Sequence, residues 1–218
     1  MKTEYKKNLL VTFGENIKFD YNLKKRTWFN IGGKTKIFYK AESLKDLINF
    51  LNKIDDKEKI FILGAGSNTL ISDKLFDGVV IKLGKSFNNI SLLGEDLIIA
   101  GSAVSDKTLS DFAIKNSLSG FEFLSGIPGT VGGGIKMNAG CFGSEFKDIL
   151  ISIQTVDKKG NIITIPKKDI IFEYRNNNLP NDLIFLSASF KGIKSNLNDI
   201  KNKTLRLKNE KERNQPTK

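Results

Sequence analysis

The sequence of 218 residues predicts an α+β fold in which strands outnumber helices. Two observations support this expectation. Most apolar segments are short and bounded by turn residues, as strands are. Several of them come in pairs joined by a tight turn, which is the pattern of an antiparallel hairpin. Helix-like spacing occurs only in a few separated segments, so the chain does not match a regular alternation of strands and helices.

The first predicted helix follows the strand "TKIFYKAES". Ser43 is a suitable N-cap, and Asp46 lies three residues further on, as in a capping box. Four apolar residues then recur at the spacing of one helix face: Leu44, Leu47, Ile48 and Leu51. This pattern is typical of an amphipathic helix.

The remaining elements are predicted in the same way. Before residue 120, the stretches "KIFILGAG" and "GVVIKLG" are predicted strands. The stretch "ISLLGEDLIIAGSAV" is a predicted hairpin that turns at 94–96, and "SDKTLSDFAIKNS" is a predicted helix capped by Ser105. After a glycine-rich segment they are a second hairpin, made of "ILISIQTV" and "IITIP", and the strands "IIFEYR" and "LIFLSASF". A charged helix, roughly Leu197 to Arg213, ends the chain.

Composition excludes several classes of protein. No apolar run approaches the roughly 18 residues of a membrane span, and the N-terminal apolar patch is too short for a signal peptide. The single cysteine, Cys141, cannot form an intrachain disulfide, which fits a reducing cytoplasm. The absence of histidine excludes Ser-His-Asp triads and His-ligated metals, and no metal site is predicted. Proton chemistry is left to other side chains or to a cofactor.

The net charge of +11 allows three interpretations: a solvated lysine-rich surface, attraction of anionic small molecules, or nucleic-acid binding. The excess is uneven, because nine Lys/Arg stand against three Asp/Glu from Lys191 onward, a net of +6. The C-terminal tail has no aromatic residues between these charges. We therefore expect a solvated surface, with no nucleic-acid or membrane partner.

The stretch "GAGSN", residues 64–68, follows a predicted strand. It fails the dinucleotide fingerprint G-x-G-x-x-G, because Thr69 occupies the position of the third glycine. The stretch is either a plain tight turn or a loop whose N–H groups, with Ser67 and Asn68, hold phosphate oxygens.

A second segment, "GIPGTVGGGIKMNAGCFG", holds seven glycines in residues 126–143. Each glycine loses much conformational freedom on folding, so the cluster needs a compensating gain. Pro128 suits the first turn of a helix, and a bare helix N-terminus exposes donors to an anion. The alternative is close packing of two backbones. Two such turns in separate units favour a ligand with an extended diphosphate.

Arg175 ends the apolar stretch "FEYR". A guanidinium at a strand end is usually part of a surface ion pair. Its other role is a permanently charged fork for a carboxylate or a developing enolate.

Taken together, six stretches resemble, in order and spacing, the UDP-N-acetylenolpyruvoylglucosamine reductases, flavoenzymes of peptidoglycan precursor synthesis: "FNIGG", "GAGSN", "GVVIKLG", "LSGFEFLSGIPGTVGGGIKMNAGCFG", "FEYR" and "NQP". The resemblance runs from about Asn22 to the C-terminus. It implies the two-subdomain FAD-binding fold of the vanillyl-alcohol oxidase and p-cresol methylhydroxylase type. The division it implies is 1–21 as an N-terminal lead-in, 22–101 as the first FAD-binding subdomain and 102–218 as the second.

The resemblance also implies the chemistry. FAD is the cofactor, NADPH is the hydride donor, and the enolpyruvyl group of a UDP-sugar is reduced to give UDP-N-acetylmuramate. Arg175 is the catalytic arginine, acting on the substrate carboxylate. The FAD-binding residues are Gly64, Ala65, Gly66, Ser67 and Asn68 in the first loop, and Ile127, Pro128, Gly129, Thr130, Gly132 and Gly133 in the second.

This sequence departs from the family pattern at two places. Cys141 and Phe142 stand where the family commonly has Ala-Tyr, so a tyrosine hydroxyl is missing. After "NQPTK" the family continues into a third, substrate-binding domain with a proton-donating serine and an assisting glutamate. We expect a C-terminally truncated reductase with little turnover of its own. The alternative is a non-catalytic flavin-binding fragment that acts with a separately encoded C-terminal partner. Lys211 or Arg213 is expected near the substrate diphosphate.

Overall fold

Two β-sheets of four and five strands form the centre of the computed structural model, which describes residues 3–214. Gln215 and Pro216 of the "NQP" stretch lie outside the described residues. Among those residues, no helix is long and apolar enough to cross a membrane.

The four-stranded sheet contains the N-terminal strands in the order β1-β2-β4-β3. β1 is antiparallel to β2, whereas β2, β4 and β3 run parallel. Its strands and the helices around them are β1 (Ile17–Asn22), β2 (Lys34–Ala41), β3 (Ile60–Ile62), β4 (Phe76–Leu83), α1 (Thr3–Phe13) and α2 (Leu44–Leu51). The parallel arrangement places the turn after β3 at the carboxyl edge of the sheet.

The five-stranded sheet is antiparallel throughout, in the order β11-β10-β14-β6-β5. Its strands are β5 (Ile90–Leu93), β6 (Leu97–Gly101), β10 (Leu150–Val156), β11 (Ile162–Pro166) and β14 (Ile184–Lys191). The two predicted hairpins are confirmed as β5–β6 and β10–β11. Since β5 and β6 precede residue 102, sheet membership changes between Leu83 and Ile90, earlier than the subdomain division that we predicted.

Four further helices accompany the second sheet in the described chain: α3 (Asp106–Lys115), α4 (Val131–Lys136), α5 (Phe146–Ile149) and α6 (Leu197–Asn214). Short two-residue strands lie between them: β7 (Leu118–Ser119), β8 (Gly140–Cys141), β9 (Ser144–Glu145), β12 (Phe172–Glu173), β13 (Asn176–Asn177) and β15 (Ile193–Lys194). Single turns of 3₁₀ helix occupy Gly14–Asn16, Lys24–Arg26, Lys85–Phe87, Glu122–Gly126 and Lys167–Asp169.

Local capping chemistry sets the starts of α2 and α3. The Ser43 side chain accepts a hydrogen bond from the Asp46 N–H, and Ser105 accepts one from Thr108. Both starts were predicted from the sequence and are confirmed. The predicted helix start at Pro128 is wrong, because α4 begins three residues later at Val131.

The N-terminal segment is part of the fold. Leu9 and Phe13 of α1 are buried in the same cluster as Ile17 of β1. The Phe13 ring packs edge-on against Tyr39 and Phe50, whose own rings stack with centroids 3.8 Å apart. The predicted lead-in 1–21 therefore contributes a helix and most of a strand.

One apolar core joins the two sheets. Val156, Ile184 and Leu186 of the second sheet are buried in the cluster that contains Ile37 and Val79 of the first. Burial of these side chains is the main favourable contribution to folding at this boundary. The shared core fixes the turn after β3 relative to the elements that follow β6.

Candidate cofactor site

The two glycine-containing segments meet in the folded chain. A Cβ atom built on Gly64 would lie 2.6 Å from Oγ1 of Thr130, a distance that real Cβ contacts do not show. Glycine at position 64 therefore permits this close approach. The first and second predicted cofactor loops form one continuous surface.

The turn 64–68 is held from two sides. Nζ of Lys82, on β4, donates a 2.8 Å hydrogen bond to the Gly64 carbonyl. Gly66 has a positive φ of 70°, and its carbonyl accepts a hydrogen bond from the Trp28 N–H at 3.1 Å. A Cβ on Gly66 would lie 2.2 Å from the Arg26 carbonyl oxygen. Both glycines of the turn are required by its conformation and by its neighbours.

The second loop reaches Thr130 as extended backbone. The Asp106 N–H donates to the Gly129 carbonyl at 3.2 Å, and the Val131 N–H donates to Val104 at 2.9 Å. Thr130 is the N-cap residue of α4, although its side chain makes no capping hydrogen bond. This pairing with the start of α3 explains why the helix does not begin at Pro128.

Close packing accounts for much of the glycine content of the second segment. A Cβ on Gly134 would lie 2.2 Å from the buried Phe146 ring, and one on Gly132 would lie 2.9 Å from Ser102 Cβ. A Cβ on Gly129 would lie 2.4 Å from an Asp106 carboxylate oxygen. Gly133 has space, because its nearest neighbour is Thr130 Oγ1 at 3.5 Å. Gly140 is also closely packed, because a Cβ there would lie 2.4 Å from the Ser144 carbonyl oxygen. The packing interpretation is therefore needed for four glycines of the segment, and Gly133 remains free to face a ligand.

A buried carboxyl group lies beneath the second loop. Asp106 is fully buried, and neither of its carboxylate oxygens has a hydrogen-bond partner. Ser110, one helical turn further along α3, is also buried with an unpartnered hydroxyl. Burial raises the pKa of Asp106 to about 8. The group is therefore mostly neutral at pH 7, and the loop carries little local negative charge.

Arg175 lies at the tip of the β12–β13 hairpin. Its side chain is exposed, and it forms no ion pair or hydrogen bond with the described residues. Its φ of 56° is unusual for a residue with a side chain, and such strain is concentrated at functional sites. Asn177, which is buried, donates hydrogen bonds to the carbonyls of Ile135 and Lys136 at 3.1 Å. The hairpin is thereby tied to the end of α4.

The region after α4 contains the departures from the family pattern. Sγ of Cys141 donates to the Phe123 carbonyl at 3.1 Å, and burial raises the pKa of its thiol to about 11. Phe142 has a positive φ of 55°. Nζ of Lys211 on α6 donates to the Gly126 carbonyl at 2.5 Å, so Lys211 contacts the second segment. Arg213 is exposed on the same helix.

The predicted site residues differ in accessibility. Half-buried are Gly64, Ala65, Ser67, Ile127, Gly129, Thr130 and Gly132; exposed are Asn68, Pro128, Gly133 and Arg175; Gly66 is buried. The structure brings the two loops together. The Arg175 hairpin is linked to α4 by the Asn177 side chain.

Three groups near the loops were missed in the sequence: Lys82, Arg26 and Asp106. Lys82 was detectable, because it interrupts the apolar stretch of β4 on the face that carries Val80. Asp106 resembled an ordinary acidic residue in the first turn of a helix. At the first loop, Lys82 and Arg26 form no ion pair with the residues that the structure describes, and at the second loop the nearby Asp106 carboxyl is mostly neutral. Both features fit a bound dinucleotide diphosphate.

Comparison with known proteins agrees with this fit. A protein-family model described as an FAD binding domain matches residues 35–166. A UDP-N-acetylenolpyruvoylglucosamine reductase from Pelagibacter ubique is 64% identical over 202 residues, covering 93% of this chain and 67% of the relative. The reductase of the same name from Rickettsia canadensis is 44% identical, covering 100% of this chain and 69% of the relative. The chain thus spans about two thirds of the length of these relatives.

Solved structures show the same architecture. A UDP-N-acetylenolpyruvylglucosamine reductase from Thermus caldophilus has a TM-score of 0.80 at 26% identity, covering 93% of this chain and 70% of that one. p-Cresol methylhydroxylase has a TM-score of 0.61 at 15% identity, covering 89% of this chain and 44% of that one, which shows the fold alone. The predicted FAD-binding fold is confirmed.

Proposed function

The chain belongs to the UDP-N-acetylenolpyruvoylglucosamine reductase family, and on that basis we propose that it serves the NADPH-dependent reduction of the enolpyruvyl group of a UDP-sugar to UDP-N-acetylmuramate. The contact between Gly64 and Thr130 carries this proposal, because it joins two backbone turns into one surface. This reaction belongs to peptidoglycan precursor synthesis, for which we infer a cytoplasmic location.

FAD is the cofactor that these loops would hold. Residues 64–68 offer backbone N–H groups and the Ser67 and Asn68 side chains to the diphosphate. Ile127, Pro128, Gly129, Thr130, Gly132 and Gly133 form the second wall, in which the exposed Gly133 leaves room for close approach. When bound, FAD supplies hydride transfer, with NADPH as the donor.

Arg175 is the residue of this chain that we assign to the substrate. A guanidinium is always charged and presents a rigid fork, so it suits a carboxylate on which negative charge develops. Its exposure and its lack of an ion pair with described residues support this role. Asn177 positions it, because this amide ties the Arg175 hairpin to α4.

We further propose that the 218-residue chain alone turns over little substrate. Its relatives carry about a third of their length outside the matched part. By resemblance, that part supplies a proton-donating serine, and positioned proton transfer contributes roughly 10²–10⁴-fold to a rate.

The test is a side-by-side assay of the purified chain and the Pelagibacter ubique relative. We expect both proteins to bind FAD, and the chain to consume NADPH with the UDP-sugar roughly 10²-fold or more slowly than the relative. An Arg175→Met variant should keep FAD affinity unchanged, while an exposed-lysine variant, Lys168→Met, serves as the matched control. Failure of the chain to bind FAD in excess cofactor would overturn the proposed function, and a rate equal to the relative's would refute the expected difference in turnover.

A further inference from the structure

A group of cations surrounds the turn 64–68. Lys82, on β4, donates a hydrogen bond to the Gly64 carbonyl. The backbone of residues 26–28, which includes Arg26, packs against Gly66. Lys40 of β2 is the cross-strand neighbour of Lys82 in the parallel register. Like charges placed side by side on a sheet repel each other, so an anion bound beside them would be stabilising.

The three cations differ in how they are paired. Lys40 forms an ion pair with Glu42. Neither Lys82 nor Arg26 forms an ion pair with any residue in the range 3–214. Burial, followed by the charges of Arg26 and Lys40, lowers the pKa of the Lys82 ammonium. Lys82 is thus a half-buried cation without a carboxylate.

Arg26 is fixed in place by aromatic rings. Its guanidinium lies 5.3 Å from the Phe38 ring centroid and 5.6 Å from that of Tyr21, and Nε donates to the Tyr21 hydroxyl at 3.0 Å. No hydrogen bond from its two Nη atoms is found within the described part of the chain. A guanidinium positioned by two rings, with Nη donors that bond to no described residue, is organised to bind an oxyanion.

We propose that Lys82 and Arg26 form a cation pair that binds the cofactor's diphosphate at the turn 64–68. This inference rests on the proposed function, and it adds two side chains to the backbone N–H groups of the turn. Lys82 contributes a charge-assisted hydrogen bond and also holds the Gly64 carbonyl. Arg26, whose backbone carbonyl packs against Gly66, contributes the second positive charge.

The decisive experiment measures FAD dissociation constants for the full 218-residue chain over a range of salt concentrations. In Lys82→Met the apolar stem is kept and the charge is removed, and we expect about a tenfold loss of FAD affinity. Because dissolved salt screens interactions between charges, FAD affinity should also depend less on salt in Lys82→Met than in the wild-type chain. Arg26→Met should act in the same direction, and Lys82→Arg should restore most of the affinity.

Lys40→Met is the matched control, since it removes a paired cation from the same sheet face. It should change FAD affinity less than twofold. ADP competes for a diphosphate site without a flavin, and its affinity should fall in Lys82→Met in parallel with that of FAD. An unchanged FAD affinity in Lys82→Met would overturn the proposal. If Lys82→Met weakened FAD binding but left its salt dependence unchanged, the proposal would also be overturned, because Lys82 would then only stabilise the turn 64–68. Wild-type chain that binds ADP but no FAD would refute the proposed function instead.

Discussion

The two loops of the candidate site share a backbone design but differ in charge. A lysine donates to the carbonyl of the first glycine in each: Lys82 to Gly64 and Lys211 to Gly126. Near the turn 64–68, Lys82 and Arg26 form no ion pair with the described residues, whereas the second loop lies over the buried Asp106 carboxyl. Glycine content alone therefore does not distinguish an anion-binding turn from a closely packed one.

The charge difference between the two loops indicates which side chains favour or oppose an anion at each loop. At the first turn an anion would relieve repulsion among cations. At the second loop an anion is compatible only with a protonated Asp106, because two negative charges at close range repel strongly in a buried setting. The second loop is thus the pH-sensitive half of the site.

The largest predicted effect is the pH dependence caused by Asp106. Its pKa is about 8 in the folded chain and 3.8 in the absence of burial, so the folded state retains the proton over this range. The stability contributed by this proton is fully present below about pH 4 and is lost as pH rises to about 8, a decrease of roughly 6 kcal/mol, of which roughly 4 kcal/mol falls above pH 5. Asp106→Asn should remove this decrease, as measured by urea unfolding between pH 5 and 9.

The control for this prediction is Asp111→Asn on the same helix, where the carboxylate is accessible and pairs with Lys107. It should leave the pH profile of the unfolding free energy unchanged. A wild-type profile that stays flat from pH 5 to 9 would show that Asp106 is ionised in the folded chain, and the contrast between the two loops would disappear.

The next effect compares two adjacent glycines of α4. A methyl group at position 134 would collide with the buried Phe146 ring, whereas position 133 is open. Gly134→Ala should therefore destabilise the chain by about 1–3 kcal/mol through overpacking. Gly133→Ala should be neutral or stabilising by up to about 1 kcal/mol, since alanine favours helix.

Thermal unfolding of the two alanine variants measures this contrast directly. FAD titration then separates packing from ligand contact, because Gly133→Ala should weaken FAD binding without lowering the melting temperature. Equal melting temperatures for the two variants would contradict the assignment of Gly134 to packing.

Local chemistry made much of this fold predictable from the sequence. The caps Ser43 and Ser105 and both hairpins depend on side chains and turns a few residues apart. The start of α4 was not predictable in this way, because backbone pairing with residues 104–106 holds 129–131 extended. Likewise, α1 was missed because Leu9 and Phe13 gain their burial from contacts distant in sequence.

The candidate site likewise contains residues predicted from local sequence and residues whose roles depend on contacts distant in sequence. The glycine loops and Arg175 were predicted from short local motifs in the sequence, and their roles remain predictions. The sequence did not identify Asn177, Lys82 or Asp106 as partners of those loops, since their roles depend on which strand or helix packs beside them. A charged residue that alternates with buried apolar ones, as Lys82 does after Val80, is the signal that could have been used.

The smallest predicted effect concerns Lys211, the counterpart of Lys82 at the second loop. Its hydrogen bond to the Gly126 carbonyl joins α6 to the glycine segment. Lys211→Met should lower the unfolding free energy by about 1 kcal/mol, the net value of one such bond. It should change FAD affinity less than Lys82→Met does, because the proposed cation pair at the diphosphate consists of Lys82 and Arg26. Lys201→Met, an exposed position on the same helix, is the control and should change neither quantity. If Lys211→Met weakened FAD binding as much as Lys82→Met, both loops would be anion sites and the charge difference between them would have no functional meaning.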